Sequence, residues 1–149
     1  PSAALIVTGP PGAHNPTNAD YFNELVNLRA DLHLQGSAHL LAEFFPEGLP
    51  ESSIPDFYRL ADMLFLPSRE EGFGIPILEA GLAGIPIFCS NLQALQSLAG
   101  DRANYFNPDD SPKQIAGMID NIKPAAEIVQ DIVGGAEAII QKLQGYVQK

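Results

Sequence analysis

Short continuous apolar runs alternate with longer stretches of helical period along this chain. Ala4-Leu5-Ile6-Val7-Thr8 is one such run, closed by Gly9-Pro10-Pro11-Gly12, and has the pattern of a strand buried on both faces. From about Asn18 to Leu34, Tyr21, Phe22, Leu25, Leu28 and Leu32 recur at steps of three or four, which predicts a helix. Ala38 to Leu41 reads as a second strand, and the stretch from Glu43 to Ser53, with Pro46, Gly48 and Pro50, as a loop. Ser53 is placed to cap a short helix from Ile54 to Ala61, Pro55 being tolerated in its first turn.

The same alternation continues. Met63 to Leu66 is a strand stopped by Pro67, Pro76 to Ala83 a helix ended by Gly84, and Ile85 to Cys89 the next strand. Asn91 to Leu98 reads as a short helix and Ala103 to Phe106 as a fifth strand. Asn107-Pro108-Asp109-Asp110 is turn chemistry, after which Ser111 caps a helix with Pro112 at its first position, running to about Ile122. Beyond Pro124, Ile128, Val129, Ile132, Val133, Ile139, Ile140, Leu143 and Val147 repeat helically, with Gly134-Gly135 as a kink point. Strands alternating with helices imply βαβ units. The expected fold is a three-layer α/β/α domain with a mostly parallel sheet of about five strands.

Composition narrows the class of protein. The chain has 149 residues, 46% of them hydrophobic, which suits one domain with a real core and excludes a largely disordered chain. Eight basic against 18 acidic residues give a charge of −10. That excludes a grip on nucleic acid built on phosphate neutralisation and argues against an anionic membrane surface. Cys89 is the single cysteine, so no internal disulfide can form, which suits a reducing cytoplasm. No segment reaches the roughly 18–20 uninterrupted apolar residues of a membrane span. The strand so near the first residue, with no basic stretch before it, reads as a piece of a longer protein rather than as a signal peptide.

One segment carries chemistry: Pro67-Ser68-Arg69-Glu70-Glu71-Gly72-Phe73-Gly74-Ile75-Pro76-Ile77-Leu78-Glu79-Ala80. It leaves the carboxyl end of a predicted strand and enters a helix, the place where open α/β sheets bind ligands. Gly72 and Gly74 allow close approach of the backbone to a ligand. The helix start offers free N–H groups, at Gly74 to Ile77, and the positive end of its dipole. Glu71 on the loop and Glu79 one turn into the helix are acceptor-only groups suited to the hydroxyls of a sugar. Taken alone, the two acids have a plain alternative as solvated charges favoured by the helix dipole. Arg69 and Glu70 read as loop charges. His14, His33 and His39 share no metal-ligand spacing; His33 reads as a helix-end cation and His39 as a structural strand histidine or a neighbour of a bound base. No Asp-x-Asp pair offers a metal–diphosphate site, and Cys89 reads as packing. Gly9-Pro10-Pro11-Gly12 lacks the Gly-Lys-Ser/Thr ending of a phosphate loop and reads as a tight strand exit.

Glu71 and Glu79 are separated by seven residues, and this stretch resembles the E-x7-E signature of retaining GT-B glycosyltransferases of group 1, or family 4. The flanks resemble that family too: Phe57 to Ser68 before the motif, Gly84-Ile85-Pro86-Ile87 after it, Ala103 to Asp110 as a last strand and turn, and Ala4 to Gly9 as an early strand. The likeness covers roughly residues 3 to 122. It implies a Rossmann-like domain, half of a GT-B fold, that binds a UDP-, GDP- or ADP-sugar for retaining transfer of a hexose. By resemblance Glu71, the catalytic candidate, holds the donor sugar near its reacting carbon, Glu79 holds the ribose, and the backbone from Gly72 through Phe73 and Gly74 to Ile75 faces the sugar and diphosphate. No cofactor and no metal are expected.

The resemblance also implies what lies outside these residues. An earlier strand with an Arg and a Lys that clamp the diphosphate, and an N-terminal acceptor domain, are expected partners, without which the piece would not turn over. Residues 1–122 would form the family-like core and 123–149 a helical tail with no recognisable counterpart. Two other readings stand beside this one: a non-catalytic nucleotide- or sugar-phosphate-binding module, and a Rossmann-like dinucleotide enzyme. The second lacks a glycine-rich fingerprint after the first strand.

Overall fold

The structure is a computed structural model that describes residues 3–9 and 17–119. The predicted tail helix, its glycine kink, Pro10-Pro11-Gly12 and His14 lie outside the described residues. The chain divides into two compact units, with the boundary between Ile54 and Pro55.

In the first unit β1 (Leu5–Val7) pairs in parallel with β2 (Ala38–Leu40), Leu5 opposite Ala38 and Val7 opposite Leu40. The crossover that a parallel pair requires carries α1 (Thr17–Asp31). The expected burial of the first strand on both faces is not found: Leu5 and Ile6 are 49% and 47% exposed. Among the described residues its sheet has two strands, and few side chains pack over Leu5 and Ile6. The arm of α1 nearest the sheet uses Phe22 and Leu25, which line an apolar hollow with Val7, Leu40 and Ala42. No charged group among the described residues lines that hollow.

The helix predicted to Leu34 ends at Asp31. Leu34 N–H donates to the Arg29 carbonyl and His33 N–H to the Ala30 carbonyl, at 2.9 and 3.0 Å. This pair of bonds is a Schellman closure, which needs a left-handed residue. His33 supplies it, with φ +55°, where glycine would signal the stop in a sequence. His33→Gly is therefore expected to stabilise the fold by about 0.5–1 kcal/mol, the left-handed strain relieved less the added chain entropy. A urea midpoint at or below that of the parent chain would count against this account. Beyond β2 the chain turns through a 3-10 segment, Leu41–Glu43. There Glu43 takes a two-pronged ion pair from Arg29, at 2.6 and 2.7 Å. The hydrogen bond from Arg29 holds the Glu43 carboxyl below the usual carboxylate range. The pair's contribution is thus present at neutral pH and is lost as pH falls through that lowered value.

The second unit contains three parallel strands in the order of the chain: β3 (Leu64–Leu66), β4 (Ile87–Ser90) and β5 (Ala103–Phe106). Phe65 lies opposite Phe88, and Ser90 opposite Phe106. Here α2 (Ile54–Leu60) precedes the sheet, following directly on a 3-10 turn, Glu51–Ser53, that contains the expected cap Ser53. Next, α3 (Ile75–Ala83) and α4 (Gln93–Ala99) cross between successive strands, and α5 (Pro112–Ile119) follows. Right-handed crossovers taken in one direction put α3 and α4 on the same face. That face holds the core: Ile77 and Ala80 of α3, Leu95 and Ala99 of α4, and Ile87 and Cys89 of β4. Burial pushes the Cys89 thiol up to about 11, and its role is packing.

By strand alternation the other face carries Phe65, Phe88 and Phe106. Their ring centroids lie 4.7 to 5.8 Å apart, as mutually packed aromatic rings prefer. Ser90 shares this face. Its hydroxyl is buried and makes no hydrogen bond among the described residues.

The class expected from the pattern, α/β with parallel strands, is thus observed, with the five strands divided between two sheets. The ends of elements shift by a residue or two. The fourth strand starts at Ile87, the first residue paired with β3, where Leu64 N–H donates to the Pro86 carbonyl. Asn91 sits outside α4, its N–H donating to the Phe106 carbonyl at 2.9 Å. The predicted capping by Ser111 is present, with Ser111 and Gln114 exchanging bonds in both directions. None of the described helices is long and apolar enough to cross a membrane.

Candidate functional site

Parallel strands bring the loops after β3, β4 and β5 to one rim of the second sheet. The loop from Pro67 to Gly74 is the longest part of it. Its exposed Arg69 forms an ion pair with Asp109, in the turn after β5, and reaches the Pro108 carbonyl at 3.4 Å. Arg69 is therefore more than a loop charge: it ties the first loop of the rim to the third. The turn itself is closed by Asp110 N–H to the Asn107 carbonyl and by Asp109 N–H to the Asn107 side chain, both at 3.0 Å.

Two acids flank the start of α3. Glu71 accepts a hydrogen bond from Gly74 N–H at 3.2 Å through Oε1, and Ser68 Oγ lies 3.5 Å from Oε2. Gly74 is the residue that opens the helix, in the left-handed region at φ +88° and ψ +44°. The N-cap residue's own side chain normally caps such a start; Gly74 has none, and Glu71 instead accepts from the N–H of Gly74 itself. Glu79 lies one turn further along α3, half-buried. Its Oε2 accepts from the Tyr58 hydroxyl at 3.0 Å, across from α2. Burial, and next the bond to Glu79, raise the Tyr58 phenol well above its usual range. It therefore stays a proton donor at any physiological pH.

Of the backbone donors expected from Gly74 to Ile77, Gly74 N–H is taken by Glu71 and Ile77 N–H by the Gly74 carbonyl at 3.0 Å. Pro76 has none. Among the described residues Ile75 N–H makes no such bond. The two glycines of the loop also separate. Gly74 is required by the fold, through its left-handed backbone and its packing against Leu95. Gly72 has an unstrained backbone and open space where a side chain would stand. Phe73 and Ile75, each 59% exposed, present apolar surface beside Glu71.

His33 and His39 belong to the first unit. His39 is exposed on β2 rather than packed as a structural strand residue. Among the described residues no group of His, Cys, Asp and Glu side chains could hold a metal ion. Tyr58 is the site residue that sequence reasoning missed. It lies 21 residues from its partner, beyond the reach of any local period.

The second unit is thus a parallel α/β unit with an acid-flanked helix start at its carboxyl rim, the place where ligands bind in open α/β sheets. Residues 1–142 match the family described as "Glycosyl transferases group 1", and the chain belongs to that family. It is 40% identical over 62 residues to the O-antigen chain mannosyltransferase B of Escherichia coli, covering 42% of this chain and 16% of that protein. It is 30% identical over 110 residues to the O-antigen chain mannosyltransferase RfbU of Salmonella typhimurium, covering 74% of this chain and 30% of that protein. It is 24% identical over 143 residues to a D-inositol 3-phosphate glycosyltransferase of Jonesia denitrificans, covering 95% of this chain and 32% of that protein. The chain thus spans about a third or less of the length of these relatives.

Proposed function

We propose that this chain is the donor-binding part of a cytoplasmic glycosyltransferase that moves a hexose from a nucleotide-diphosphate sugar with retention of configuration. The observation that carries the reading is the pair of acids about the start of α3, Glu71 on the loop before it, bonded to Gly74 N–H, and Glu79 a turn into the helix, bonded to the Tyr58 hydroxyl. In this reading Glu71 accepts from hydroxyls of the donor sugar and Glu79 from those of the ribose. Ile75 N–H and the positive end of the helix face the diphosphate, where negative charge grows as the anomeric carbon–oxygen bond breaks. The acceptor oxygen forms the new bond, and the acceptor would be held by a second domain of the same protein. The names of two relatives make mannose the first sugar to try.

The test is a calorimetric titration of the chain with UDP-, GDP- and ADP-sugars, repeated on Glu79→Ala. One nucleotide class is expected to bind, and Glu79→Ala to weaken it about tenfold, or ~1.4 kcal/mol, as befits hydrogen bonds to a charged group. Circular dichroism of the variant guards against misfolding. Binding that Glu79→Ala leaves unaltered would refute the placement of the ribose.

A further inference from the structure

Tyr58 occupies an unusual position for a surface-helix residue. Its ring packs against the core cluster beneath α3, while its hydroxyl reaches Glu79 Oε2 at 3.0 Å. A phenol has one proton and a ring with few rotatable bonds, so a packed tyrosine donates along a fixed direction. A glutamate carboxylate offers about four lone-pair sites. Tyr58 uses one on Oε2, and among the described residues no hydrogen bond occupies Oε1. An unrestrained glutamate would have to give up rotamer freedom each time it engaged a ligand; Glu79 has already given it up.

We propose that Tyr58 is the positioning residue of the nucleotide site, orienting the Glu79 carboxylate for the vicinal hydroxyls of a ribose. The proposal rests on the reading of Glu79 given above. It assigns Tyr58 no contact with the ligand, so the effect of losing its hydroxyl must travel through Glu79 and must require the ribose hydroxyls.

The experiment uses the full chain and three proteins: the parent, Tyr58→Phe and Glu79→Gln. Each is titrated with UDP, GDP and ADP, and the nucleotide that binds is compared with its 2′,3′-dideoxy counterpart. The parent is expected to prefer the ribonucleotide about tenfold, and Glu79→Gln to abolish most of that preference. Tyr58→Phe keeps the ring and its packing; it is expected to cut the preference three- to tenfold while leaving affinity for the dideoxy nucleotide unchanged. Equal weakening toward both ligands would reveal a merely structural tyrosine and overturn the proposal, as would an unchanged preference. If Glu79→Gln erases the preference and Tyr58→Phe does not, the positioning role alone fails. If Glu79→Gln leaves the preference intact, or the parent binds none of the three nucleotides, the ribose reading fails and the proposal with it.

Discussion

Gly74→Ala is expected to destabilise the second unit by roughly 2–5 kcal/mol. Two costs add. At φ +88° an L side chain meets its own backbone, at about 1–2 kcal/mol. A Cβ at this position would also stand 2.7 Å from Leu95 Cδ2. Leu95 is fully buried in the core between α3 and α4, so it cannot swing aside into solvent, and overpacking of this kind costs about 1–3 kcal/mol. The same substitution moves the residue whose N–H fastens Glu71, so stability and donor binding should fall together. Gly72→Ala is the control. With open space around it and no left-handed backbone, it should stay within about 0.5 kcal/mol of the parent. Urea unfolding of the two variants decides the matter: a Gly74→Ala midpoint equal to that of Gly72→Ala would contradict the packing described.

The largest loss of stability is expected from Phe88→Ala, at roughly 3–5 kcal/mol. Phe88 is 1% exposed on the central strand of its sheet, with Phe65 and Phe106 rings on either side at 5.8 and 4.7 Å. Removing its ring leaves a cavity that both neighbours border. Those neighbours are anchored on their own strands and can close it only in part. A loss of this size approaches the whole stability of a small domain, so the variant is expected to be partly unfolded at 37 °C. Phe88→Leu, which keeps most of the volume, should lose far less. Calorimetric melting within 3 °C of the parent for Phe88→Ala would show that the aromatic face is not the core it resembles.

Much of the fold was legible because it is local. The fifth strand, Ala103–Phe106, coincides with its apolar run, and α3 ends where Gly84 takes φ +71°. Turn chemistry at Asn107 and capping at Ser111 need only neighbours within three residues. The end of α1 was not legible. A histidine in the left-handed region leaves no mark that distinguishes it from a helical one. The exposure of Leu5 and Ile6 was not legible either, because an apolar run reports what a strand can bury and not how many neighbours cover it.

The candidate site divides the same way. The amino-acid sequence by itself determined that two acids with seven residues between them bracket a glycine-bearing loop and a helix start, and its flanks placed the chain near the glycosyltransferases of group 1. Only the tertiary structure decided what each group does there. It spent Gly74 N–H on Glu71, gave Gly74 a packing role against Leu95, joined Arg69 to Asp109 across 40 residues and brought Tyr58 to Glu79 across 21. The physical reason is one of range. Hydrophobic period and turn chemistry act between near neighbours and can be read along a line. The partners of a carboxylate are chosen by how helices and strands pack, and packing joins residues that the chain keeps far apart.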